Sequence, residues 1–167
     1  CNHFVSRSSA LAPGAQDWPA VPGSCPQLAM EDILEAQINH CVDRGWIRTG
    51  EEFDTVEVLR PGAGGGPATS EDLAALVGIF DVLENLRELD LSGLELGDKH
   101  ALFLLGYVPG SVTQLSLEGC GLTDAGAREV CRCLPASIAR IHLIGGNSVS
   151  AEAKAEIVGL LGDRLVS

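Results

Sequence analysis

Leu86-Arg-Glu-Leu89-Asp-Leu91 decides the fold of this chain, because its spacing returns as Val112-Thr-Gln-Leu115-Ser-Leu117 and as Ile138-Ala-Arg-Ile141-His-Leu143. The copies start at residues 86, 112 and 138, a constant period of 26. The middle copy runs on through Cys120 and Leu122. A fixed period of this length marks an array of small structural units, each with a short strand. Side chains alternate along a strand, so the Leu-x-x-Leu-x-Leu pattern turns its apolar positions to one side and the residues between them to the other.

Between the strands the pattern becomes helical. Ser70 is placed to N-cap a helix carrying Leu73, Leu76, Val77 and Phe80 on one face. Asp98 is placed to cap the next, with Leu102 and Leu105 inward. Thr123 or Asp124 opens a third, with Ala127, Val130, Cys131 and Leu134 inward, and Ser150 opens a fourth, with Ala153, Ile157, Leu160 and Leu161 inward. One strand and one helix in constant order predict an α/β architecture with a parallel sheet. Strands stack at ~4.8 Å and helices at ~10 Å, so the array curves, with strands on the concave side and helices on the convex side.

Upstream, Phe53-x-x-Val56-x-Val58 reads as a first, elongated copy whose extra length lies in the loop Arg60-Pro-Gly-Ala-Gly-Gly-Gly-Pro-Ala-Thr69. The repeats are then about 53–85, 86–111, 112–137 and 138–167. A helix is expected over Met30 to Arg44, with Met30, Leu34, Ile38 and Cys41 inward and Gly45 as its C′ residue. It is the expected N-terminal cap of the array. Residues 1–28 carry prolines 13, 19, 22 and 26 and read as an irregular arm draped over the first repeat. The organisation expected is an N-terminal arm and cap over 1–50 and a repeat region over 51–167.

The apolar content of 46% with 20% charged residues suits a packed fold, and 4% aromatics requires an aliphatic core. A net charge of −12 disfavours nucleic acid as a partner and favours, if anything, a protein with a basic surface. No apolar run approaches the ~18 residues of a membrane span. The six cysteines do not follow the spacing of a disulfide framework, which favours an intracellular, reducing compartment such as cytoplasm or an organelle matrix. Cys1 stands where an initiator Met is expected, as in a trimmed or processed chain; a lipid-bearing N-terminal Cys is the alternative.

The phrase Leu115-Ser-Leu-Glu-Gly-Cys120-Gly-Leu122-Thr-Asp-Ala-Gly126 resembles the L-x-L-x-x-C/N-x-L-T-D-x-G signature of the leucine-rich repeat superfamily, in its ribonuclease-inhibitor-like branch. The resemblance covers residues ~53–165. It implies a leucine-rich repeat solenoid used for protein binding, with Cys120 and Asn147 satisfying backbone groups in the turn after the strand. The 26-residue period is also similar to that of the cysteine-containing repeats of F-box proteins, although nothing in residues 1–50 resembles an F-box. In repeat count and helical N-terminal region the chain is similar to the mitochondrial proteins related to ATP synthase subunit s. It departs from the signature at Leu94, which stands where Cys120 stands in the next copy, and at one extra residue, Gly145-Gly146, before Asn147.

Few groupings suggest chemistry. The loop 61–69 follows a strand and precedes a helix, as a dinucleotide-binding turn does, with Gly62 and Gly64 in place and Glu88 at a suitable distance. Pro67 occupies the third glycine's place and no Lys completes a P-loop, so a nucleotide-binding enzyme is the alternative reading and an inter-element loop the main one. Cys120, Cys131, Cys133 and His142 are potential zinc ligands, but C-x-C on a helix turns its thiols apart, so no metal is expected. His40-Cys41 are neighbours that face different ways. Neither G-x-S-x-G nor H-E-x-x-H occurs.

The concave face is the expected site. Its middle column is Glu57, Asp90, Ser116 and His142, preceded by Thr55, Glu88, Gln114 and Arg140, and followed by Leu59, Ser92, Glu118 and Ile144. The partner-binding set is therefore Glu57, Glu88, Asp90, Gln114, Ser116, Glu118, Arg140 and His142. Its acids lie toward the N-terminal end and favour a Lys- or Arg-bearing ligand. The function expected is a non-catalytic interaction module: a scaffold, adaptor, inhibitor, assembly factor or accessory subunit, without cofactor or metal.

Overall fold

The computed structural model describes residues 30–48, 53–64 and 66–166. The arm expected over residues 1–28 lies outside them. Helix α1 (Met30–Asp43) leads into β1 (Val58–Leu59), β2 (Gly66–Pro67), α2 (Ser70–Phe80), β3 (Glu88–Asp90), β4 (Leu94–Glu95), α3 (Gly97–Leu105), β5 (Gln114–Ser116), α4 (Asp124–Cys133), β6 (Arg140–His142), α5 (Ala151–Leu161) and β7 (Leu165–Val166). Strands β1, β3, β5, β6 and β7 form one parallel sheet in that order. Beyond its turns, β2 and β4 form a two-stranded parallel ladder.

The register follows the period. Leu89 lies beside Leu115 and Leu115 beside Ile141. Every apolar position of the three sequence copies is at most 1% exposed, so the 26-residue spacing stacks leucine on leucine between sheet and helices. The helix stripes complete this core through Leu76, Ile79, Leu104, Val130 and Ile157.

Four expectations are corrected. The first copy is not Phe53-x-x-Val56-x-Val58. Val58 pairs with Glu88 and Leu59 with Leu89, so the copy is Val56-x-x-Leu59-x-Pro61. Leu91 donates its N–H to the Ser116 carbonyl. Pro61, in the same row, has no N–H to donate, which is why β1 ends at Leu59. Next, Met30 is 87% exposed and does not face the core. The docked side of α1 centres on Cys41, and the chain turns back after it to bury Trp46 and Ile47. Gly45 makes that turn at φ +71°, with Trp46 N–H bonding to Cys41 O and Gly45 N–H to Val42 O, a Schellman ending. Third, Leu160 is 60% exposed, while Ala153, Ile157 and Leu161, at i, i+4 and i+8, take the inward stripe. Last, a fifth strand, β7, adds to the sheet beside β6, with Leu165 beside Ile141.

The caps also differ. Thr69, one residue before Ser70, caps α2. Asp98 does not cap its own helix; its carboxylate accepts from Thr123 N–H (2.8 Å) and Thr123 Oγ1 (2.6 Å), the cap of the following helix. Asp124 repeats this one unit later, accepting from Ser150 N–H and Oγ, both at 2.6 Å. Those two bonds hold the Asp124 carboxyl below the usual carboxylate range. Each acid thus fixes the start of the next helix, which keeps the helices in step with the strands.

Candidate functional site

The helices cover one face of the sheet and leave the other open. On that face Glu88, Gln114 and Arg140 align across β3, β5 and β6, and so do Asp90, Ser116 and His142. The sheet brings these six expected residues together. Glu118 follows β5 and lies against Gly145, where an added Cβ would meet its carboxylate at 2.4 Å. The extra residue of the last copy thus lies beside the Glu118 side chain. Glu57 does not join the set. It falls in the row of Arg87, whose N–H bonds the Glu57 carbonyl, and Arg60 takes the place expected for it beside Asp90.

This shift changes the electrostatics. Arg60 reaches Glu88 at 3.3 Å, an exposed pair worth little in stability. Asp90 accepts from Ser92 N–H at 3.0 Å, and the Ser92 and Ser116 hydroxyls meet at 2.5 Å. Cations therefore stand at both ends, Arg60 on one side and Arg140 on the other, with acids between. The N-terminal end is not the acidic pole that the Phe53 register predicts.

Asp90, Ser116 and His142 are the residue types of a nucleophilic triad, but their order defeats the chemistry. The serine lies in the middle, so two strand spacings, roughly 10 Å, separate carboxylate from imidazole. A triad needs the imidazole bonded to both.

The remaining chemical candidates have structural employment. Cys120 Sγ donates to the Leu91 carbonyl at 3.2 Å. Asn147 does more: its Nδ2 donates to Leu117 O (2.7 Å) and Leu143 O (2.6 Å), and its Oδ1 accepts from Leu122 N–H (3.1 Å). Asn147→Ala is expected to cost ~1–3 kcal/mol in a urea unfolding measurement, because it orphans those backbone groups. Gly62 packs on the neighbouring turn, where an added Cβ would meet the Ser92 carbonyl at 1.7 Å. His40 points to Asp72 (2.8 Å) while Cys41 enters the core.

The cysteines described, 41, 120, 131 and 133, are free. Burial, with nearby Asp72 for one and Asp90 for the other, pushes the Cys41 and Cys120 thiols up to about 12. Among these four, iodoacetamide applied to the folded protein should alkylate exposed Cys133 first and leave Cys41 and Cys120 unmodified, as read by peptide mass spectrometry. Among the described residues, no group of three or more His, Cys, Asp or Glu side chains could hold a metal ion, and no helix is long and apolar enough to cross a membrane.

No family model and no curated protein matches the chain. Among solved structures it is similar to leiomodin-1 actin-binding site 2, with a TM-score of 0.52 and 13% identity over 79% of this chain and 74% of that one. At that identity the likeness is one of fold alone: a parallel sheet backed by helices.

Proposed function

We propose that the chain is a short leucine-rich repeat solenoid of the ribonuclease-inhibitor-like branch, capped by α1, and that it is a non-catalytic protein-interaction module. The observation that carries this reading is the in-register stacking of three 26-residue copies, which leaves a row of polar side chains on an open sheet face. Glu88, Asp90, Gln114, Ser116, Arg140 and His142 form the binding surface, with Arg60 in place of Glu57. The mixed charge of that surface suits a protein partner of mixed charge. One similar solved structure is an actin-binding site, which makes actin the first partner to test. Free buried thiols suit a reducing compartment.

Filament co-sedimentation and affinity capture from the native source, each with wild type and a Glu88→Lys/Ser116→Arg/Arg140→Glu variant, test the reading. A partner held by wild type and lost by the variant supports it. A partner held equally by both excludes the sheet face as the site. Micromolar nucleotide binding in calorimetry, abolished by Gly64→Val, would replace the reading with the nucleotide-binding enzyme.

A further inference from the structure

The helix side of the molecule carries a second surface with its own character. Three shallow depressions of about 410, 480 and 380 Å³ lie along α1, α2 and α3 and meet at Gln37. Their floor is low and largely apolar. Ala74 and Gly78, one turn apart on α2, leave space beneath Ile33 of α1, and Gln37 lies across Gly78 so closely that a Cβ there would meet its Oε1 at 1.8 Å. One end is open and apolar, with Met30 87% and Ile33 45% exposed. The other end presents an aromatic pair, Phe103 and Tyr107, with ring centroids 5.0 Å apart and each ring about half exposed.

The rim has one sign. Glu31, Asp32, Glu71 and Asp81 line these depressions, and among the described residues no Lys or Arg does; the other described titratable side chains facing them are His40 and His100. Exposed apolar side chains clustered on one surface mark an interaction site, and aromatic side chains are its usual anchors. A groove between helices with a small-residue floor fits the apolar stripe of another helix. The acids fix the flanks of that helix as basic. They also argue against a second copy of this chain, because an isologous contact would bring the same acids face to face.

We propose that the α1–α2–α3 surface binds a basic amphipathic helix of another protein, its apolar stripe along Ile33, Ala74 and Phe103 and its Lys or Arg residues against Glu31, Glu71 and Asp81. This surface lies on the helix side and is independent of the open sheet face.

Fluorescence anisotropy on the full chain tests it, with a labelled helical peptide of about 18 residues built from Leu and Lys, and a matched Leu/Glu peptide. The Lys peptide binds and the Glu peptide does not. Ile33→Asp and Ala74→Glu, both at exposed positions, each weaken binding about ten-fold or more, with thermal unfolding as the control for folding. Glu31→Lys/Asp81→Lys transfers the preference to the Glu peptide. Glu88→Lys/Asp90→Lys, the same charge change on the sheet face, leaves the affinity within about two-fold. An equal loss in that sheet-face pair overturns the proposal, because net charge alone then explains the binding. Unchanged affinity in Ile33→Asp overturns it too, as does sedimentation showing a second copy on this face. The sheet-face variant that tests the proposed function leaves this surface intact, so either reading fails without the other.

Discussion

Leu115→Ala is expected to destabilise the protein by ~2–5 kcal/mol, while Glu118→Ala, three residues on, changes stability by less than ~0.5 kcal/mol. Leu115 is fully buried and stacks between Leu89 and Ile141, so truncation removes apolar burial from three consecutive strands at once. The backbone around it is held on both sides by strand pairing, which limits collapse into the void. Leu117, 1% exposed, should behave as Leu115 does. Glu118 is half-buried against Gly145 and contributes no side chain to the core. Urea unfolding of the three variants, with unchanged m-values, reads the differences directly. Equal losses at 117 and 118 would contradict the register.

Asp72→Ala should cost ~2–4 kcal/mol, because removing one partner of a buried ion pair strands the others, and the partly exposed partners here recover some hydration. Asp72 is 1% exposed. It accepts from His40 Nε2 (2.8 Å), Arg44 Nε (3.0 Å), Thr69 N–H (2.9 Å) and Thr69 Oγ1 (2.9 Å). One carboxylate thus closes the capping box of α2 and ties α1 to it. Arg44 also stacks over the Trp46 ring at 5.3 Å, which orients the guanidinium. Burial by itself raises the Asp72 pKa, but the bonds from Thr69 and His40 and the charge of Arg44 outweigh it and hold the carboxyl below the usual carboxylate range. Its folded value is therefore below its unfolded one. The stabilisation is complete above the ordinary aspartate range, about 4, and is lost as pH falls through the lowered folded value. The stability gap between wild type and Asp72→Ala, measured by urea unfolding from neutral pH down to about 3, should narrow only in that acid window. A gap that is constant across it would show that the charge of Asp72 contributes nothing.

The strands at 86, 112 and 138 were legible because three equal spacings constrain one another. The copy near residue 56 was not, because Phe53, Val56, Val58 and Leu59 satisfy the apolar pattern in two registers three residues apart. Only pairing with β3 chooses between them, and that choice replaces Glu57 by Arg60 on the open face. Cys120 and Asn147 were readable as turn residues through the family resemblance, whose logic is that a buried backbone group requires a partner. The acids Asp98 and Asp124 were readable as cap residues but not as caps of the following helix, since their partners lie 25 and 26 residues away.

Periodicity by itself determined the strand–helix order, the aliphatic core and the six polar residues shared across β3, β5 and β6, because a repeated spacing forces repeated pairing. Tertiary packing alone decided which face of α1 docks, how Asp72 joins α1 to α2, and where β7 adds. It also assembled the acidic, apolar-floored groove on the helix side, because a surface shared by three helices depends on their mutual rotation, and no spacing within one helix encodes that.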